Sequence, residues 1–333
     1  MNNVLPDHDT IMAALTLATR APSIHNSQPW AWRVGDETVH LYADSTRQLR
    51  HTDPERRDLL LSCGAALQHF TVALAALGWQ THVRRIPNAA DPDHLASIEI
   101  CGHTGTEQDI ALAAAIPRRR TDRRWYSSWP VPAGDIALMA ARAARCGVMV
   151  RRVDSPSRLA AATAAAVRAH ADDAEYLAEL SMWSGRYGSV AGVPARNATA
   201  VGTHSPLPGR VFANPVLRQP KDTDPALDAG VILALGTATD DPLAILRAGE
   251  ATGIVLLTAT ALGLSSCPVT EPLEIESTRA AVRTGVLGGD GFPQMLLRIG
   301  WAPLNADPLP ATPRRPLTDV VRRLDGASAG VSG

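Results

Sequence analysis

The chain has 333 residues, 45% apolar content and a formal net charge of −1, enough for one large globular unit or two packed ones with real cores. Near-neutral charge gives no global attraction to nucleic acid or to an acidic membrane surface. The four cysteines (Cys63, Cys101, Cys146, Cys267) form no C-x-x-C pair and the start "MNNVLPDHDT" lacks a signal-peptide pattern, so a reducing, cytoplasmic setting is expected.

In chain order, residues 8–20 read as a helix stopped by Pro22. "AWRV" and "TVHLYA" then alternate as two strands around a "GDE" turn. The run from Asp53 to Gly78 predicts a long apolar helix, with Asp53 as N-cap and Pro54 at the first helical position. Strands are expected over 81–86 and 95–101. After Pro117 come a helix near 133–145, a strand near 148–153 and an Ala-rich helix over 156–182. "VILALGTA" reads as a buried strand, 241–263 as a second long apolar helix and "QMLLRIGW" as a closing strand. The longest apolar run, Ile254 to Leu264, is too short to span a bilayer.

The two long helices carry a faint repeat. At an offset of 185, Gly64, Ala66, Ala76, Leu77 and Gly78 fall on Gly249, Ala251, Ala261, Leu262 and Gly263. Two related α+β halves are therefore expected, 1–115 and 116–333. Residues 184–220 are dense in Gly and Pro without a helical or strand period, which predicts a long functional loop. Trp183, Tyr187, Val190 and Phe212 suggest a packed lid.

Three segments could carry chemistry. "IPRRRTDRRWYS" (Ile116 to Ser127) has five arginines and Thr121 in seven residues, a set suited to gripping phosphate oxygens, and Arg314 and Arg315 near the C-terminus could join it. An exposed basic turn paired with acids is the alternative. The loop "RAPSIHNSQPW" (Arg20 to Trp30) offers Ser23 and Asn26 on a proline-stiffened backbone. Alternatively, Ser23 caps a turn and Asn26 bonds its own backbone, while His25 and Ser27 read as plain loop residues. In "SSCPVTEPLE" (Ser265 to Glu274), Pro268 and Pro272 hold an extended segment whose N–H groups could face a ligand, or Thr270 is simply a helix N-cap. Metal-ligand spacings, a nucleophile elbow and a dinucleotide glycine loop are all missing.

Taken together, "APSIHNSQPW", "RRTDR", "TATALGLSSCPVTE", "GFPQMLLRIGWAP" and "LPATPRRPLTDV" resemble, in that order, the opening signature, phosphate motif, helix-to-flavin segment, closing strand and C-terminal basic contact of the nitroreductase superfamily of FMN flavoproteins. The opening signature precedes the phosphate motif, an order similar to the mycobacterial Acg-type subgroup. The resemblance implies an α+β nitroreductase-like fold: mainly antiparallel sheets surrounded by helices, with two halves fused as an intramolecular pseudo-dimer. It further implies that Arg119, Thr121, Arg314 and Arg315 hold the FMN phosphate and that Arg123 lies near the pyrimidine edge. Pro22, Ser23, Ile24, Asn26 and Gln28 would contact ribityl and ring, and Pro268, Val269, Thr270 and Glu271 would face N5 and the ring edge. One flavin is expected rather than two, because the first ten residues hold no arginine and the second half has no P-S-x-x-N loop.

The implied reaction is hydride transfer from NADH or NADPH through FMN to a small-molecule acceptor, nitroaromatic or quinone-like. The alternative is an FMN-sequestering protein whose lid leaves little turnover. No nucleic acid or membrane partner is expected; the pseudo-dimer stands alone or pairs into a further homodimer.

Overall fold

The computed structural model describes residues 6–325 apart from 155, 187, 201–209 and 221–223. Helix α1 (His8–Ala18) opens with Asp7 accepting the Thr10 N–H at 2.7 Å. The hairpin β1 (Trp30–Val34) and β2 (Thr38–Ala43), helix α2 (Arg57–Ala76), and the pair β3 (Trp79–Arg85) and β4 (His94–Gly102) follow. Helix α3 (Glu107–Ala115) leads to α4 (Ala133–Ala144), β5 (Met149–Arg152), α5 (Pro156–Ala171) and α6 (Ala174–Met182). Two very short strands, β6 (Ser184–Arg186) and β7 (Val193–Pro194), precede β8 (Val231–Thr237), α7 (Pro242–Ala261) and β9 (Ser265–Val269). The chain closes with α8 (Glu271–Glu274), α9 (Glu276–Gly285), β10 (Phe292–Gly300), α10 (Leu317–Val320) and β11 (Val321–Arg323).

One topology occurs twice. The first sheet runs β11-β1-β2-β4-β3 and the second β5-β8-β10-β9. With β11 set aside, each places its strands in the order first, second, fourth, third, with a 20-residue helix joining second to third. Pairing within each set of four is antiparallel throughout. The C-terminal strand β11 crosses back to lie parallel to β1, so the last part of the chain finishes the first half's sheet.

The helices α2 and α7 pack on each other at the centre. A Cβ built on Gly64 would lie 2.9 Å from the Gly249 Cα, and one built on Gly249 would lie 2.9 Å from the Gly64 Cα. The same two positions meet the carbonyls of Leu246 and Leu61. Each contact is thus mirrored by its partner 185 residues away, as in an isologous interface. Both helices are long and apolar enough to cross a bilayer, contrary to the sequence expectation, but most of each is buried inside the molecule. A helix apolar all round is what the core of a large protein requires.

Other expectations are corrected. Helix α2 starts four residues after Asp53, because Arg56 takes a left-handed conformation; Asp53 still accepts the Leu59 N–H at 2.8 Å, one turn inside the helix. The predicted helix 156–182 is two helices. Asp173 stops the first and caps the second, accepting the N–H groups of Glu175 and Tyr176 at 2.9 Å. Helices α3 and α9 escaped the sequence reading, although α3 has a full Thr106/Asp109 capping box. Segment 184–220 contains β6 and β7, paired in parallel. Phe212 is buried with Tyr176, Leu180, Val193 and Ala198, whereas Val190 is 47% exposed; Tyr187 lies outside the described residues.

Candidate functional site

A cavity of about 220 Å³ lies between the loop after α1 and the strand β9. Its first wall is the loop after α1. His25, Asn26 and Gln28 all adopt positive φ there, a cost that side-chain bonds offset. Ser23 Oγ accepts the Gln28 N–H at 3.0 Å and Ser62 Oγ accepts the Ile24 N–H at 3.1 Å. The second wall is β9 and the start of α8. Ser266 is fixed from both sides, by the β10 ladder and by the Asp122 N–H donating to its carbonyl at 2.9 Å. That bridge sets Thr121 beside β9.

Nine of the sequence-predicted residues line the cavity: Pro22, Ser23, Ile24, Thr121, Arg123, Pro268, Val269, Thr270 and Glu271. Asn26, Gln28, Arg119, Arg314 and Arg315 stand outside its lining. Asn26 ties three segments together: its Nδ2 donates to the carbonyls of Gly192 and Pro313, and its Oδ1 accepts from Arg314 Nη1 at 2.9 Å. Gln28 donates to Val190 O at 2.8 Å and accepts the Arg315 N–H at 2.9 Å. The Arg315 guanidinium turns to Asp44, 3.4 Å away. Thr270 sits at the N-cap position of α8 without capping it; its hydroxyl donates to Glu274 Oε1 at 2.6 Å.

A cationic cluster without counter-ions lies next to these residues. Arg119 is buried, and its Nε and Nη1 have no hydrogen-bond partner among the described residues. Burial, then Arg120 and Arg20, push its pKa down to about 10. Arg314 donates to the carbonyls of Thr19, Arg20 and Ala21, and burial with Arg119, Arg20 and Arg120 lowers it to about 9. Among the described residues none of these four arginines forms a salt bridge. A buried, unpaired guanidinium is costly unless an anion completes it. His69, close enough to feel the Arg119 charge, also has a buried Nε2 without a partner among the described residues.

The sequence reading missed several lining groups. His25 is not a plain loop residue: it lines the cavity, and its Nε2 accepts a short hydrogen bond from Arg210 Nη1. Burial, then Arg210, hold its pKa well below the ordinary value, so it stays neutral and accepts. Arg210 also bonds Glu274 and faces Glu271 Oε2 at 3.4 Å, while His170 Nδ1 donates to Glu271 Oε1 at 3.1 Å. Asp58 lines the cavity too, its pKa raised well above the ordinary value by burial, then Asp53 and Glu274. A lone His or Asp in sequence gave no signal of this convergence.

Described residues of the long segment after α6 reach the cavity. Thr199, Ala200, Arg210, Phe212 and Gln219 contribute to its lining. Arg123 reaches up to this segment, donating to Asn197 O at 3.0 Å and lying 4.7 Å from the Phe212 ring centre. Among the described residues no group of three or more His, Cys, Asp or Glu is placed to hold a metal.

The chain is similar to several known proteins. The profile of the Nitroreductase family matches residues 116–301. A Mycobacterium tuberculosis protein with the provisional name NAD(P)H nitroreductase Rv3131 is 62% identical over 96% of this chain and 93% of its own. Another from that organism, with the provisional name NAD(P)H nitroreductase acg, is 38% identical over 96% of this chain and 97% of its own. The crystal structure of the FMN-dependent nitroreductase NfnB from Mycobacterium smegmatis, in complex with NADPH, aligns with 65% of this chain and 99% of its own at 18% identity, with a TM-score of 0.39.

Proposed function

The chain belongs to the nitroreductase family, and from that premise we propose that it is an FMN-binding oxidoreductase passing electrons from NADH or NADPH to a nitroaromatic or quinone-like acceptor. The observation that carries this reading is the unpaired arginine cluster beside a cavity walled by both halves. Orphaned donors on Arg119 and a lining that mixes amide, hydroxyl and apolar groups fit a phosphate-bearing ring system. When bound, FMN supplies two-electron chemistry between a nicotinamide and an oxidised acceptor.

The protein's part is to bind and orient. Arg119, Thr121 and Arg314 would hold the phosphate. Arg123 would supply a cation toward the pyrimidine edge, where reduction builds negative charge. Pro22, Ser23 and Ile24 would contact ribityl and ring, with Asn26, Gln28 and Arg315 bracing that wall from behind. Backbone from Pro268 to Glu271 would face the reactive edge. The repeated strand order and the mirrored Gly64 and Gly249 contacts support two fused halves, 1–115 and 116–333, with one flavin between them.

The segment 184–220 acts as a lid, and its side chains inside the cavity favour a second reading, FMN retention with little turnover. Anaerobic addition of NADPH to the yellow protein separates the two. Bleaching within seconds supports the reductase; bleaching by dithionite alone supports retention. A purified protein that is colourless and does not take up added FMN overturns both.

A further inference from the structure

The duplicated topology has a second cavity, of about 400 Å³, lined by the C-terminal half of α2 where the first is lined by its N-terminal half. The 185-residue offset maps one cavity wall onto the other. Thr81, His82, Val83 and Arg85 on β3 line the second and fall on Ser266, Cys267, Pro268 and Thr270 of β9, of which the last three line the first. Both strands are sheet edges. Glu250 on α7 lines the second where its counterpart on α2, Ala65, lines the first. The end of α4, leading into β5, supplies Arg142, Arg145 and Cys146, just as the loop from α1 to β1 supplies Pro22, Ser23 and Ile24.

This twin site has been rebuilt. A bidentate ion pair, Arg85 to Glu250 with contacts of 2.8 and 2.7 Å, fills the place that Ala65 leaves open in the first cavity. What remains is a mixed wall: Arg142 and Arg145 stand with the neutral polar groups of Gln68, Thr71, Thr81 and Gln108 around a smaller apolar patch. The two acids in the wall are already engaged: Glu250 by Arg85, Asp109 by the Thr106 capping box. Among the described residues Arg142 donates only to the Thr258 hydroxyl, at 2.7 Å, and neither Arg142 nor Arg145 has a carboxylate within ion-pair distance. Val72, Leu112 and Ile254 form the apolar part.

We propose that this second cavity is a binding site for a small amphipathic organic anion, with the oxyanion head on Arg142 and Arg145 and the apolar body against Val72, Leu112 and Ile254. Guanidinium forks match carboxylate oxygens in pairs, and the apolar patch selects against a bare inorganic ion. The site is independent of the flavin reading, since none of its residues lines the first cavity.

Benzoate, inorganic phosphate and benzyl alcohol are the probes for calorimetric titration of the purified protein as isolated. Benzoate should saturate a single site with Kd below about 1 mM, and phosphate and benzyl alcohol should each bind at least about tenfold more weakly. The Arg142→Gln/Arg145→Gln double variant should weaken benzoate by about tenfold or more while thermal stability stays near wild type. Cys146→Trp, which fills the void without removing charge, should abolish benzoate binding and leave the visible spectrum unchanged. Four results would each overturn the proposal: no saturable heat with benzoate, phosphate or benzyl alcohol as tight as benzoate, undiminished binding by either variant, or displacement of bound flavin.

Discussion

Arg210 Nε lies 3.4 Å from Glu271 Oε2, and the same guanidinium bonds Glu274 and His25. One side chain from the segment over the cavity is thereby set among groups from both walls. Burial works against Glu271's charge, but Arg210 and then His170 more than offset it, holding its pKa below the ordinary value.

Arg210→Ala leaves Glu274 without its counter-ion and Glu271 with His170 alone, a change that costs up to about 3–5 kcal/mol when nothing relaxes. On the proposed reading of 184–220 as a lid, the relief available is its opening. Limited proteolysis should then cut within 184–220 much faster than in wild type, and reduction of bound flavin by NADPH should accelerate. Unchanged proteolysis would mean that the segment is held by its other contacts alone.

The acids near this latch titrate in opposite senses. Burial raises Asp53 to about 6, against the backbone N–H groups it accepts from. Its folded pKa lies above the unfolded value of 3.8, so its stabilising contribution is complete below pH 3.8 and fades as pH rises through about 6. Glu271 runs the other way: its contribution is present above its ordinary value of 4.5 and fades as pH falls through the lower folded one. Asp53→Asn keeps an acceptor for the Leu59 N–H and removes the titration. Urea denaturation between pH 4 and 7 should show the variant lacking roughly 3 kcal/mol of the wild-type decline. An identical slope in both proteins would assign that decline elsewhere.

Arg119→Met separates stability from binding. Removing a buried guanidinium with orphaned donors should raise the melting temperature of flavin-free protein, worth about 1–3 kcal/mol. FMN affinity should fall by about tenfold to a hundredfold or more, because charge-assisted phosphate contacts are lost. A variant that loses stability without losing FMN would place the anion elsewhere.

The glycine contact at the centre predicts coupling. Gly64→Ala or Gly249→Ala alone should cost about 1–3 kcal/mol or more, because the added methyl meets backbone that flexible side chains cannot replace. Both changes push the same two helices apart, so the double variant should lose less than the sum of the single losses. Strict additivity in chemical denaturation would show that the two positions are relieved separately.

Much of this architecture was legible in the chain because it is local. Strand alternation in "TVHLYA", the apolar periods of the two long helices and their glycine stops depend on near neighbours, and the structure places those elements within a few residues of expectation. Boundaries failed where one residue's conformation decided them. Arg56 in the left-handed region delays α2, and Asp173 divides 156–182 because its carboxylate prefers backbone N–H groups to helix continuation.

The residue types of the site were visible as motifs, while their roles depended on distance in space. Sequence alone determined the arginine-rich turn, the proline-stiffened loop and the 185-residue echo between α2 and α7. Only tertiary structure decided that Arg119 lacks a counter-ion while Arg124 has Asp122, that Arg315 turns to Asp44, and that His25 faces Arg210. Charge pairing and desolvation depend on which distant groups arrive beside a side chain, and chain order does not encode that until the two sheets and the C-terminal strand have packed.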